Sequence, residues 1–332
     1  MPANIRPPLS VILAVLILVG CSGHPIAPTS GAISPTVSSY LSEMISIMEA
    51  NAIFRDRIDW NGFREKVFQT AKEWGAQNIT EAYPAIQTAL GLLGDHHSFY
   101  QPSIGQTVFN PAPRPCSVSG APPPSVPPDI GFVQISGFGG TSAEGIIFAT
   151  AIQQRIRAAD RPDLIGWIVD LRDNSGGLIW PMLAGVGPIL GDGIAGYFFE
   201  PSNGSYLEWE YSTGVAGYSG APLTQVSNPY QLIHGQPKVA VLTFTATASA
   251  GEAIVVAFRG RPNARSFGTP TCGVPTGNKG YKLSDGAILE LTTAFYVDRT
   301  HTSYSDSIVP DQGASYTESV TRAIEWLRGT AP

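Results

Sequence analysis

Three short segments carry side chains whose types and spacing suit joint chemistry. In "KVAVLTFTATASAGEAIVVAFRG", an apolar, β-branched stretch from Val239 to Phe244 runs into small residues and then into an apolar helix pattern, with Ser249 at the junction and Glu252 in the first turn. Small residues let a ligand approach the backbone, and a helix start offers unpaired N–H groups and a positive dipole end. Ser249 is placed as a nucleophile would be, although by itself it reads first as an N-cap serine. In "IVDLRDNSGG", an apolar strand from Ile168 to Leu171 leads into a polar turn ending at Gly176 and Gly177, whose N–H groups can point into a cleft as an oxyanion requires. In "LGDHHSFY", Asp95, His96, His97 and Ser98 follow a helix pattern, in a chain with only 5 histidines. Imidazole titrates near neutrality, so one of these is a candidate general base.

The elements that must position these groups are visible as periodicities. Three helices precede residue 95: "VSSYLSEMISIMEANAIF", with Tyr40, Met44, Ile47 and Met48 on one face, "WNGFREKVFQTAKEWG" with Asp59 as N-cap, and "NITEAYPAIQTALGLLG" closed by Gly94. Residues 101–128 are rich in Pro, Ser and Gly without periodicity and read as a linker or long surface loop. Strand-like and helix-like segments then alternate: "IGFVQIS", the helix "SAEGIIFATAIQQRIRAA", "LIGWIVDLR", a helix near "WPMLAGVGPIL", two polar strands around "SYLEWEYS", "KVAVLTF", the helix "SAGEAIVVAFRG", and strands at "RSFG", "GYKLSD" and "AILELTTAFYV". That alternation predicts an α/β domain with a buried sheet.

Composition bounds the function. At 332 residues, 43% hydrophobic and 14% charged, the chain can bury a sizeable core, and a net charge of -6 without a Lys/Arg run leaves no footprint for nucleic acid. Small molecules or peptides are the expected partners. The start "MPANIRPPLSVILAVLILVGCSG" has Arg6, an apolar run from Leu9 to Val19 and small residues before Cys21. It reads as a secretory signal over residues 1–20, too short for a comfortable membrane span. Leu18-Val19-Gly20-Cys21 resembles the bacterial lipobox, which predicts lipidation of Cys21, a tether over 21–36, and anchoring in the cell envelope outside the cytoplasm. Cys116 and Cys272 remain; they either pair in an oxidising compartment or stay as isolated buried thiols. With neither CxxC nor HExxH present, no zinc site and no cofactor is expected.

Taken in order, the motifs resemble those of the tail-specific, or C-terminal processing, protease family of serine peptidases, which includes the tricorn core and the interphotoreceptor retinoid-binding protein repeats. The family's D-L-R-x-N-x-G-G is matched by Asp170 to Gly177, and its nucleophile segment by Thr247-Ala248-Ser249-Ala250-Gly251-Glu252. G-x-P-T-x-G follows at Gly268 to Gly273, L-x-D-G at Leu283 to Gly286, and Pro-Asp at Pro310-Asp311; D-x-H-[ST] is matched by Asp95 to Ser98. The resemblance, spanning roughly residues 40 to 315, implies a crotonase-like α/β core over 129–325 behind a helical cap over 37–100, and hydrolysis of peptides or unfolded proteins. It makes Ser249 the nucleophile and assigns the oxyanion hole to the N–H of Ala250 with that of Gly176 or Gly177.

Two departures from the family pattern matter. In the processing-protease branch a lysine base follows the glycine of G-x-P-T-x-G, where this chain has Val274. Either Lys279 serves as a displaced lysine base, or, as in the tricorn-like branch, His97 is the base with a carboxylate to orient it. The histidine reading is preferred, because a lysine base must be strongly desolvated and a neutral imidazole need not be. His96 is then a neighbour. The expected orienting acid is Asp306, with Asp298 the alternative and Tyr304 at the aligned position; Asp170 and Asp311 read as structural. The second departure is length. Only about thirty proline-rich residues separate His97 from the first core strand, too few for a PDZ domain of ordinary size, so tail binding is not carried over. Non-catalytic ligand binding on the same fold and ester hydrolysis remain as rival functions.

Overall fold

The computed structural model describes residues 31–330 except 115 and 117–119; the signal segment, Cys21 and the first part of the tether lie outside them. The chain opens with three helices: α1 (Pro35–Asn51), capped by the Ser34 hydroxyl, α2 (Trp60–Glu73), capped by Asp59, and α3 (Tyr83–Leu93), ended by left-handed Gly94. They do not close a core of their own. Their apolar faces share one cluster with Tyr100 of strand β1 (Phe99–Gln101), and with Leu283, Ala287, Leu289 and Leu291 further along the chain. The Tyr40 hydroxyl of α1 donates to Asp285, the acid of the L-x-D-G motif, at 2.9 Å.

Beyond the short β2 (Val108–Phe109) come β3 (Ile130–Gln134), α4 (Ser142–Ala159), β4 (Gly166–Asp170) and α5 (Ile179–Leu190). A meander follows, built from β5 (Gly193–Glu200), β6 (Ser205–Ser212), β7 (Val215–Tyr218) and β8 (Ala221–Gln225). The chain continues through β9 (Val239–Thr243), α6 (Ala250–Phe258), β10 (Ala264–Gly268), β11 (Thr276–Lys282), β12 (Ile288–Val297), β13 (Ser303–Tyr304), β14 (Gln312–Gly313) and α7 (Glu318–Arg328).

Two sheets result. The first is parallel, in the order β14-β10-β9-β4-β3. Its central strands β4 and β9 read as unbroken apolar runs because both faces are covered. Val133, Trp167, Val169, Val239 and Val241 pack into the cluster that contains α4, α5 and α6, whereas Ile130, Ile168, Ala240, Leu242 and Phe267 pack against α7. The second sheet, β2-β1-β12-β5-β6-β7-β8 with β11 and β13 also on β12, is antiparallel and carries the helices on one side of its β1–β12 end. The fold is therefore mixed α/β, as the alternation of elements predicts.

Three expectations shift. Four strands, not two, surround "SYLEWEYS". The strand expected at "GYKLSD" starts earlier, at Thr276, because β11 pairs along β12 with a bulge at Gly277/Asn278, and pairing overrides the poor strand propensity of Gly and Asn. The proline-rich segment is strapped down: Cys116 is disulfide-bonded to Cys272, Arg114 pairs with Asp306, and the His96 ring bonds Ala112 O. Among the described residues, no helix is long and apolar enough to cross a membrane.

Because the disulfide joins positions 156 residues apart, Cys116→Ser is expected to lower unfolding free energy by about 2–4 kcal/mol. Urea unfolding checks this: reductant should bring the wild-type curve onto that of the variant and leave the variant unmoved.

Candidate active site

The parallel sheet delivers two loops to one place, the carboxyl ends of adjacent strands β4 and β9, where open α/β sheets bind ligands. The loop after β9 carries Ser249, which stands at the N-cap of α6 with φ 51° and ψ -119°. For a residue with a side chain this is a strained conformation, of order 1–3 kcal/mol, and it persists only where the surroundings dictate it. They do so on both sides. Thr247 donates its hydroxyl to Leu171 O at 2.8 Å, Ala248 N–H donates to Asn174 O at 2.9 Å, and Cys272 N–H donates to Thr247 O at 2.9 Å. The Glu252 carboxylate, fully buried in the first turn, accepts from Ser249 N–H at 2.9 Å, from Gly273 and Val274 N–H at 3.0 Å each, and from the Thr271 hydroxyl. Burial pushes the Glu252 carboxyl up to about 7, against the pull of those donors.

The loop after β4 is built to approach Ser249 closely. A Cβ on Gly176 (φ 99°) would fall 2.8 Å from both Ala248 O and Ser249 Cβ, so only glycine fits there. Gly176 N–H is spoken for: it donates to Asn174 Oδ1 at 3.0 Å. Gly177 pairs with Phe138 in a parallel bridge that uses Gly176 O and Leu178 N–H. The bridge leaves the Gly177 N–H unused. Asp170 and Arg172 of the same motif form a buried bidentate pair, 1% and 2% exposed, and Arg172 also donates to Tyr316 O at 2.7 Å. They are structural, as is Asp311, which accepts from Ser266 N–H and hydroxyl.

His97 arrives from the other sheet. Asp95 accepts the N–H groups of His97 and Ser98 at 2.8 and 2.7 Å, Ser98 bonds Thr292, Thr292 bonds Asn278, and Asn278 donates to His97 O at 3.1 Å. This chain of bonds fastens the loop before β1 to β11 and β12. The His97 Nδ1 lies 2.8 Å from Thr276 Oγ1. Desolvation lowers the His97 pKa to about 4, the nearby Asp95 charge pulling weakly the other way. The imidazole is therefore neutral at physiological pH.

Ser249, His97, Gly177 and Thr276 line one cavity of about 810 Å³, walled on one side by Leu178, Trp180 and Phe198. The structure thus brings the serine, the histidine and the glycine turn together. Among the described residues no hydrogen bond joins His97 to Ser249, and the buried Tyr296 phenol borders the serine hydroxyl. Catalytic contacts of this kind are commonly loose before substrate binds.

The other expected site residues lie elsewhere. Asp306 is not brought to His97: its carboxylate is 70% exposed, pairs with Arg114 at 2.7 Å, and accepts the Ser307 N–H. Asp298 is buried and filled by Thr300, Thr302 and the Tyr304 hydroxyl; although burial opposes it, these bonds hold its pKa below the ordinary carboxylate value. Lys279 sits opposite Leu291, whose side chain belongs to the helical core, so it projects to the face of β11 away from the cavity, over the Tyr281 ring. His96 is exposed and does not border the cavity. Sequence reasoning missed Thr276, because its meeting with His97 across 179 positions depends on strand pairing that no local pattern announces.

The chain has known relatives. Peptidase family S41 matches residues 129–313. The chain is 27% identical over 299 residues, 89% of its length and 88% of the relative's, to a nisin-resistance protein of Lactococcus lactis subsp. lactis. Among solved structures it resembles a lipoprotein from Streptococcus agalactiae, at TM-score 0.70 and 21% identity over 90% of this chain and 99% of that one. It also resembles the photosystem II D1 C-terminal processing protease, at TM-score 0.53 and 16% identity over 88% and 97%.

Glu252→Ala is expected to cost at least about 3 kcal/mol, since each buried donor left unpaired costs ~1–3 kcal/mol. Glu252→Gln should not rescue it, because one carboxamide edge would present N–H to donors. Urea unfolding of both variants checks this; a wild-type curve for the glutamine variant would refute it.

Proposed function

The chain belongs to peptidase family S41, and from that premise we propose that it cleaves peptide bonds through an acyl-enzyme on Ser249, with His97 as general base. The observation that carries this reading is the strained Ser249 at the end of a parallel strand, sharing one cavity with a neutral imidazole and with the unused Gly177 N–H. Ser249 Oγ attacks the substrate carbonyl while His97 Nε2 takes its proton. For that, Nδ1 must keep its hydrogen and donate it to Thr276 Oγ1, the hydroxyl accepting at the place where a carboxylate accepts in other triads. The oxyanion is held by the N–H groups of Ala250, at the start of α6, and of Gly177. His97 then protonates the leaving amine, and water releases the acyl group by the reverse path.

The architecture fits a crotonase-like core over 129–325 with residues 37–100 as its helical cap. Residues 101–128 act as a strap rather than as a tail-binding domain. Lipidation of Cys21 would anchor the peptidase outside the cytoplasm, where the disulfide is stable. The likeness to a nisin-resistance protein supports an envelope peptide as substrate: expression of the wild type in a nisin-sensitive bacterium should raise the inhibitory nisin concentration, and the Ser249→Ala variant should not.

Ser249→Ala is expected to abolish labelling by a fluorophosphonate probe and to lower kcat/KM by at least about 10³-fold, whereas Thr276→Val should cost about tenfold in kcat with KM little changed. Persistent labelling of the alanine variant would remove Ser249 from the mechanism. Because His97 keeps its neutral form down to about 4, the acid limb of the pH–kcat/KM profile should fall there. A limb near the ordinary histidine value of about 6.5 would contradict the desolvated environment described for the base.

A further inference from the structure

We propose that Glu290 selects substrates by binding a cationic group of the peptide, a basic side chain or a free amino terminus, close to the scissile bond. The inference rests on the reading of the Ser249 cavity as a substrate cleft. Glu290 is the third residue of β12, where its neighbours Leu289 and Leu291 turn into the helical core and its own side chain turns into the cavity. The carboxylate is half-buried, and among the described residues no hydrogen bond or ion pair engages it. Every other acid singled out around this site is filled by protein donors: Glu252, Asp95, Asp298 and Asp306 each hold at least one. An unpaired carboxylate in a partly desolvated wall is unfavourable for the free protein, and burial accordingly raises the Glu290 pKa.

The neighbours of Glu290 leave room for a partner. Across β11 it faces Gly280, where a Cβ would meet Glu290 Oε1 at 3.0 Å; across β1 it faces Phe99, which also lines the cavity. Phe99 is two residues along the chain from His97, about 7 Å in extended backbone. A carboxylate at that place meets a residue one or two positions from the bond being cleaved. The same cavity is also lined by Trp180, stacked on Tyr218 at 5.5 Å and set edge-on to Phe198, an apolar surface for other side chains of the peptide. A bound ammonium or guanidinium supplies the hydrogen bonds that the protein withholds, in a site where water screens them poorly.

The test uses the full chain carrying Ser249→Ala, so that binding is read without turnover. N-acetylated, fluorescently labelled peptides differ only in bearing lysine, norleucine or glutamate at successive positions; a matched set has a free amino terminus. The lysine peptides, or the set with a free terminus, should bind about tenfold more tightly than their neutral counterparts, and the two arms tell which cation is used. Adding Glu290→Gln should bring the members of each pair to parity, and Glu290→Lys should make the glutamate peptides the tighter ones. Equal affinities in the Glu290 protein, or a preference that survives both substitutions, would overturn the assignment. Fluorophosphonate labelling of Ser249 in the otherwise wild-type chain is read separately. A labelled protein without charge preference refutes the role of Glu290 alone, and an unlabelled protein that binds cationic peptides through Glu290 refutes the peptidase reading alone.

Discussion

The Glu252 carboxylate, in the first turn of α6, ties Ser249 through its N–H to the 271–274 turn, which it holds through Thr271, Gly273 and Val274. Burying a carboxylate costs several kcal/mol unless its lone pairs are satisfied. Here the pocket is closed only when every donor is in place, so a loosened turn would expose or strand the acid, and the acid in turn resists loosening. That mutual dependence lets Ser249 remain at φ 51° without a glycine. The disulfide acts on the same turn from outside, since Cys272 lies between two of the donors and its N–H bonds the nucleophile loop.

The turn after β4 divides its labour in a way that its motif conceals. Asp170 and Arg172 neutralise one another and reach to the chain's C-terminal segment. Asn174 works on all sides: its amide donates to Ile135 O at 3.1 Å, its Oδ1 accepts Gly176 N–H, and its backbone O accepts Ala248 N–H. The most recognisable letters of the motif are thus scaffolding. What they leave beside Ser249 is a glycine surface against which it can lie, and in the proposed mechanism one backbone N–H, that of Gly177.

Much of this was legible in the sequence, and the division between what was and was not follows sequence separation. Helices α1 to α4 and α6 announce themselves by caps and periodicity, with Asp59 and Gly94 where helix physics demands them. Ser249 and the paired glycines sit at strand ends, and an apolar run followed by small residues marks such ends in any parallel sheet. Long-range partners were not legible. Asp306 was expected at the base because it lies near the aligned position, yet Arg114, from a segment read as a linker, holds it at the surface. Lys279 fails by parity: in a strand, one step decides the face, and Gly280 opposite Glu290 puts Lys279 opposite Leu291. Thr276 carried no mark at all, being one of several threonines in a polar stretch.

A hydroxyl at Nδ1 alters what the imidazole does well. A carboxylate there would stabilise the imidazolium and raise its pKa; Thr276 is neutral, and desolvation holds His97 at about 4, with Asp95 alone acting as a counter-charge. In the proposed mechanism such a base would accept the serine proton reluctantly, because proton-transfer driving force follows pKa. The same imidazolium is a strong acid once formed, and the leaving amine of a peptide needs protonation before it can depart. In the proposed mechanism, protonation of the leaving amine is therefore the step this base would favour, and formation of the tetrahedral intermediate would rest on Ser249 and on the N–H groups of Gly177 and Ala250.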